Sequence, residues 1–464
     1  MEFRSLKYVA AACGGELRNG SPDTMAGPVS TDSRKVRAGD LFFAIAGDRF
    51  DGHDFLPEAA AKGVTAVVAQ EGRIPPGLAC AVVAVDNPRR ALGRLAERYR
   101  ADFELPVIAV GGSNGKTTTK ELLASVLQQK LRTLRSEASF NNDIGVPLTL
   151  LKLERTHQAA VVEVGTNHPG ELAPLVRMAK PGWGVITSIG REHLEYFGDL
   201  AGVAAEEGWL AELLPTDGRL FVNGDGDWTE RLTRRSRATA LRVGLGAGND
   251  WRASRLRLDE HGARFWVETA SKDYAGEYQI RLLGRHQVVN ALFALAIGAE
   301  LKLPRADIAR GLAECAPPKM RMQLWDWNGA RILDDAYNAN ADSMIAALET
   351  LREMPCAGRR AAVLGDMAEL GAQTRIAHEE AGRRAAELGV DRLFAVGGMA
   401  GVTAGAARAA GLKLVDEFAD ADAAAEAVKE YLRAGDLLLL KASRVARLER
   451  LAAALRPPEA GGEV

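Results

Sequence analysis

The chain of 464 residues is too long for one compact core, and ordinary domain sizes divide it into roughly two to four units. Its 59 basic and 61 acidic side chains leave a net charge of −2, which excludes nucleic acid or an anionic membrane as a bulk electrostatic partner and confines anion binding to local sites. Four widely spaced cysteines, Cys13, Cys80, Cys315 and Cys356, offer neither metal-ligand spacing nor a disulfide framework and fit a cytoplasmic setting, and no apolar run approaches the roughly 18 residues of a membrane span.

Near the start, Val9 to Cys13 is apolar but too short for a signal-peptide core, Glu2 spoils the charged start, and Gly14-Gly15 reads as a helix end. From Ser30 to about Asp102, short strands (40–45, 66–69, 81–85) alternate with helical stretches (56–62, 89–100), which predicts a small α/β domain. A second unit begins at Pro106, carries buried-strand runs at 106–110, 159–164, 184–188 and 220–222 separated by helical segments, and closes after a helix over 289–301, near Pro317-Pro318. The third unit alternates strands (331–334, 360–364, 392–396, 437–440) with helices (343–353, 376–388, 420–433), the pattern of a doubly wound sheet whose ligands sit beyond the carboxyl ends of its strands. Gly365-Asp366 and Gly397-Gly398 stand at such ends, the alanine-rich tract over 401–427 reads as helical surface, and Pro457 to Val464 as a disordered tail. The expected fold class is therefore α/β in three domains: a small α/β domain over 1–103, a central P-loop ATPase-like parallel-sheet domain over 104–317, and a Rossmann-like domain over 318–464.

The most specific signal lies between the strand ending at Val110 and the helix-like run 120–127, where Gly112-Ser113-Asn114-Gly115-Lys116-Thr117-Thr118 spells a phosphate-cradling turn. Glycines let the backbone turn so that N–H donors and the helix dipole face one anion. Lys116 then reaches the outer phosphates of ATP, and Thr117 offers a hydroxyl to magnesium. Val110 stands where the longer P-loop spelling has its first glycine, so the loop is a shorter variant. Glu163 ends an apolar run, where it either meets a cation or reaches solvent. His193 lies past a neighbouring strand, as a metal ligand or a structural histidine. Glu207 shares a helical stripe with Val203, Leu210 and Leu214, which leaves it either facing an inward partner or edging that face toward water.

Taken in order, 112–121, Asn141-Asn142-Asp143-Ile144-Gly145-Val146-Pro147, 163–171 and 192–197 resemble the Mur ligases of peptidoglycan synthesis. The segments 334–343, 365–371 and 441–444 extend the resemblance through the third domain, and Ser30 to Arg34 with Gly52-His53-Asp54 extend it through the first. Within the family the chain looks like the branch whose acceptor is D-alanyl-D-alanine. The resemblance implies an ATP-dependent ligase that phosphorylates the terminal carboxylate of UDP-N-acetylmuramoyl-tripeptide and lets the acceptor amine displace phosphate. By the same correspondence, Thr117 and Glu163 hold one magnesium ion and His193 a second, with Lys116 activating the phosphates. Asn290, Arg321 and Asp335 match positions that contact the nucleotide, and Ser33 and Arg34 match the UDP-sugar end. Asn141, Asn142, Asn167, His168, Tyr337, Asn338, Asn340, Lys441, Ser443 and Arg444 are expected along the peptide and acceptor path. A monomer is expected, although no motif speaks to oligomeric state.

Several positions depart from the family pattern. Many members carry a carbamylated lysine at the second magnesium, where this chain has Ala204-Ala205-Glu206-Glu207-Gly208; Glu207 is expected to supply a permanent carboxylate there, which would make activity indifferent to bicarbonate. Gln287 replaces the usual asparagine after His286, and Ala442 replaces a glycine, a change that requires negative φ. Asp86-Asn87-Pro88-Arg89 spells the tetrapeptide by which a sister enzyme recognises its diamino acid, but it lies in the first domain and reads as a turn into a helix with Pro88 in its first position. Two rival functions remain: a sister ligase adding a single amino acid, and a non-catalytic nucleotide-binding regulator.

Overall fold

The computed structural model describes residues 1–47 and 49–456, so the expected tail over 457–464 lies outside the described residues. Besides a two-stranded antiparallel pair, Arg4–Ser5 with Met25–Ala26, three larger sheets organise the chain, each built on parallel strands with an antiparallel strand or extension at an edge. The first, in the order Glu16–Arg18, Ala81–Val85, Ala66–Gln70, Leu41–Phe43, Val29–Ser30, is parallel except for its first strand. Asn87 caps the helix Pro88–Arg100 by accepting from Arg90 N–H at 3.1 Å, and Pro88 takes the first helical position as expected. That helix buries Ala91, Leu92, Leu95, Ala96 and Tyr99 in a core continuous with one face of the central sheet. Tyr99 donates its hydroxyl to Leu153 O at 2.7 Å and Arg100 Nε to Ala179 O at 3.0 Å, so the first domain is bolted to the second through paired polar groups as well as apolar area.

The central sheet has nine strands. Val107–Gly111 lies between Ala159–Glu163 and Trp183–Ile186, all parallel, which brings three carboxyl ends to one edge. Beyond Arg219–Asn223 and Thr239–Gly244 the sheet continues into an antiparallel meander, Trp251–Asp259, Gly262–Thr269 and Gly276–Ile280, which the strand runs read from the sequence did not include. The helices Lys116–Gln128, Arg285–Glu300 and Arg305–Glu314 cover the other face of this sheet.

The third sheet runs Gln323–Trp327, Ala330–Asp335, Leu437–Lys441, Arg360–Gly365, Arg392–Val396, Leu414–Phe418, and only its first pairing is antiparallel. Separate apolar cores lie on its two faces. No helix among the described residues is long and apolar enough to cross a membrane.

Candidate active site

A cleft of about 1110 Å³ opens where the central sheet's carboxyl edge meets the third domain. Gly112 and Gly115 turn the chain there with φ of 104° and 90°, and a Cβ on either would lie 2.5 Å from Thr187 Oγ1 or Asn290 Oδ1. Glycine is therefore required at both positions. Ser113 N–H donates to Ser188 O at 2.8 Å and Asn114 N–H to Ser188 Oγ at 3.0 Å, which fixes the loop to the tail of the neighbouring strand. The helix Lys116–Gln128 starts at once, and its first-turn N–H groups, which have no acceptor within the helix, face the cleft with Thr117 and Thr118 on its wall.

Lys116 reaches back to the Gly112 and Ser113 carbonyls and lies 3.5 Å from Glu192 Oε2. Burial works against its charge, but the carboxylates of Glu192, Glu207 and Glu163 outweigh burial and raise its pKa above the usual lysine value. The ammonium is thus retained where phosphates would sit.

Glu163 is 1 % exposed; its Oε1 accepts from Thr117 Oγ1 at 3.1 Å and Asn141 Nδ2 at 3.0 Å, while Oε2 has no hydrogen-bond partner and Lys120 Nζ stands 3.7 Å away. A buried carboxylate oxygen without a donor, beside a threonine hydroxyl on a phosphate loop, fits a hard cation. No group of three or more His, Cys, Asp or Glu side chains among the described residues forms a ready metal cage. Thr117 and Glu163 together would fill only part of a cation's coordination shell, which leaves room for phosphate oxygens.

His193 takes φ of 49° and lines the same cleft, with Nε2 4.0 Å from Glu192 Oε2 and Nδ1 hydrogen-bonded to Glu369 of the third domain. Glu192 and Glu369 were not singled out as site residues from the sequence. Glu192 had a signal, since it adjoins His193 beyond a strand end.

Glu207 stands apart from the other expected metal-site residues. It is absent from the walls of the cleft and lies behind the phosphate loop, where its Oε2 accepts from Gly112 N–H at 2.7 Å and its Oε1 has no hydrogen-bond partner. As placed, its carboxylate props the loop backbone and does not line the cleft. Burial raises its pKa to about 7, against the opposing charge of Lys116. Glu206 beside it accepts from Gly170 and Leu172 N–H at 2.9 and 2.8 Å and so holds the start of the helix Leu172–Ala179.

The residues expected to contact the nucleotide converge on the cleft. Gln287 Oε1 accepts from Asn290 Nδ2 at 2.8 Å, so the longer amide fixes Asn290 against the loop. Arg321 stacks on Tyr337 with 4.2 Å from its guanidinium carbon to the ring centroid, and Lys441 pairs with Asp335 at 2.5 Å while donating to Asn338 O at 2.8 Å. Asn141, Asn142, Asn167, His168, Tyr337, Asn338 and Asn340 also line the cleft. Ser443 and Arg444 do not: Ser443 is buried and donates to Asp366 O at 2.7 Å, while Arg444 lies outside the walls with its N–H 3.3 Å from Asn338 Oδ1. Ser33 and Arg34 sit apart in the first domain, Ser33 buried and Arg34 exposed and paired with Asp32. Arg89, from the tetrapeptide, does reach the cleft wall and donates to Asp143 Oδ1 at 2.6 Å. Ala442 is not among the positive-φ residues, which meets the condition set by its side chain.

Family models match in chain order: "Mur ligase family, catalytic domain" over 28–100, "Mur ligase middle domain" over 110–298, and "Mur ligase, glutamate ligase domain" over 320–444. The chain is 35 % identical over 452 residues to a Bacillus subtilis protein named UDP-N-acetylmuramoyl-tripeptide--D-alanyl-D-alanine ligase, covering 97 % of each. The chain belongs to the Mur ligase family. Among solved structures, this Mur ligase is similar to MurF from Acinetobacter baumannii, with a TM-score of 0.89, 31 % identity and coverage of 98 % of this chain and 99 % of that one. It is also similar to the MurF ligase of Thermotoga maritima in complex with ADP, with a TM-score of 0.80 and 26 % identity over 92 % of this chain and 96 % of that one.

Proposed function

We propose that this Mur ligase joins D-alanyl-D-alanine to UDP-N-acetylmuramoyl-tripeptide at the expense of ATP, a step of peptidoglycan precursor synthesis. The observation that carries the reading is the full-length likeness to enzymes of that name, in a chain whose cleft joins a phosphate loop to a charged third-domain wall. The tripeptide's terminal carboxylate attacks the outer phosphorus of ATP, ADP leaves, and an acyl phosphate forms. The amine of D-alanyl-D-alanine then attacks the acyl carbon; the C–N bond forms, phosphate departs and the amine gives up a proton.

Bringing a carboxylate to a triphosphate sets anion against anion, so the first step depends on local positive charge. Lys116 supplies a permanent one at the loop. Thr117 and Glu163 would hold one magnesium ion and His193 a second, and bound magnesium supplies the remaining charge on the phosphate oxygens. Glu207 keeps Gly112 N–H in place and so holds the loop's shape. Asn290, Arg321 and Asp335 orient the nucleotide; Asn141, Asn142, Asn167 and His168 guide the peptide; Tyr337, Asn338, Asn340 and Lys441 receive the acceptor. Ser33 and Arg34 serve the uridine end, and the free cysteines and the use of ATP support a cytoplasmic setting. Closure of the third domain keeps water from the acyl phosphate, whose hydrolysis would waste ATP.

Hydroxylamine tests the first step without the acceptor. With ATP, magnesium and UDP-muramyl-tripeptide, the protein is expected to yield a tripeptide hydroxamate, and Lys116→Ala to reduce its rate at least about a hundredfold. A Lys116→Ala protein that keeps near-normal turnover contradicts the proposal.

A further inference from the structure

The third-domain segment Gly365-Asp366-Met367-Ala368-Glu369-Leu370-Gly371 ends on a feature that neither nucleotide nor acceptor binding explains. Glu369 reaches across the cleft from the third domain and its carboxylate meets His193 Nδ1 on the central domain. Its own carbonyl accepts from Glu195 N–H at 3.0 Å, so backbone and side chain grip the same turn. His193 and Glu369 both sit in the left-handed region, at φ of 49° and 61°, and Gly371 follows at 53°, where a Cβ would come within 3.0 Å of Glu195 Cα. Left-handed backbone at two facing non-glycine residues persists only where the surroundings hold it, and such positions gather at functional sites.

We propose that Glu369 is a positioning residue for His193, acting across the domain interface. A neutral imidazole whose Nδ1 donates to a carboxylate carries its lone pair on Nε2. Here Nε2 points toward Glu192 Oε2 at 4.0 Å, and both residues line the cleft. Contact with Glu369 therefore fixes the ring orientation and the tautomer that a cation requires, and it does so only while the third domain is closed. The second cation site is then completed by closure, and by linkage a cation on His193 favours the closed state in return. The pair is placed for such a role at the cleft margin: the His193 side chain is 16 % exposed and that of Glu369 40 %, so Glu369 can arrive and leave without unpacking a core. Among the described residues, Glu192 is the other carboxylate within ion-pair reach of the ring, and it belongs to the central domain, so it cannot report closure.

The inference rests on His193 serving the second magnesium ion, and the experiment separates the two claims. Mn²⁺ bound to the full chain saturated with a non-hydrolysable ATP analogue is counted by electron paramagnetic resonance, with no turnover involved. The unaltered protein is expected to bind two ions and His193→Ala one. Glu369→Ala should keep the first ion at unchanged affinity, which also reports an intact fold, and weaken the second by about 10- to 100-fold. Glu369→Gln keeps an oxygen that accepts the Nδ1 proton and should stay close to the unaltered protein. Two ions with His193→Ala losing one, but Glu369→Ala holding the second at full affinity, would overturn the positioning role alone. A single ion in the unaltered protein, unchanged in His193→Ala, would overturn the metal reading and the positioning role with it.

Discussion

His286 illustrates how a cleft residue fixes its own chemistry. Burial, with a smaller push from Lys441 and against the pull of Asp335, lowers its pKa from the ordinary 6.5 to about 4. Between those values the unfolded chain takes up a proton that the folded chain refuses, so stability present above 6.5 is lost as pH falls toward about 4. The urea midpoint is expected to drop over that interval, and to drop less in His286→Asn; parallel pH profiles for the two proteins would contradict the assignment. That Lys116, Thr117, Glu163 and His193 share one cleft was legible in the sequence, because each is a polar residue at or past the end of an apolar strand run, beside glycines or in a turn. Glu369 was not, because its partner lies 176 residues away and a contact across two domains leaves no local pattern. For Glu207 the sequence left an inward position and the edge of its face both open, since helical periodicity tells roughly which face a residue occupies and not what its side chain meets; the structure buries it against the loop.

The strand-to-helix junction at the phosphate loop makes the sharpest demand on a single element. Gly115→Ala would place a Cβ 2.5 Å from Asn290 Oδ1 in a backbone with φ of 90°. A left-handed alanine costs about 1–2 kcal/mol before the clash is added. The melting temperature should fall, and ADP affinity measured by calorimetry should fall more than tenfold because Asn290 must move; unaltered ADP binding would show that the loop tolerates the change. Parallel strands ending in such junctions were readable as short apolar runs. The meander over Trp251–Asp259, Gly262–Thr269 and Gly276–Ile280 was harder, because its strands alternate. Arg252, Arg255, Arg257 and Arg264 interrupt the apolar residues, and the register shift between Ser254 and Arg257 breaks the alternation itself.

At the scale of the molecule, the third domain meets the second through Leu283, buried in the third domain's core, and through polar pairs beside the cleft. Arg191 donates its N–H and Nε to Asp342 at 2.6 and 2.7 Å and its Nη1 to Glu380 at 2.6 Å, and Asn114 of the phosphate loop exchanges amide hydrogen bonds with Asn340, the cap of the helix Ala341–Glu353. Charge-assisted bonds at partly buried positions suit a latch that must also open. Arg191→Ala should shift the equilibrium toward the open form by about 1–2 kcal/mol, a factor of about 5–30. Small-angle scattering should then show a larger radius of gyration with nucleotide bound, and kcat should fall while ADP affinity holds; an unchanged radius and kcat would remove the latch from the account. The division into three α/β units was visible in the alternation of strands and helices, but how the units face one another was not, because these contacts depend on which strand ends share an edge. The arrangement is expected to make one bond, between the tripeptide's terminal carboxyl carbon and the amine of D-alanyl-D-alanine. Purified protein given ATP, magnesium and UDP-muramyl-tripeptide, with either D-alanyl-D-alanine or single amino acids, should form the pentapeptide product by mass only with the dipeptide; a product formed with a single amino acid, or phosphate released with no new bond, would contradict it.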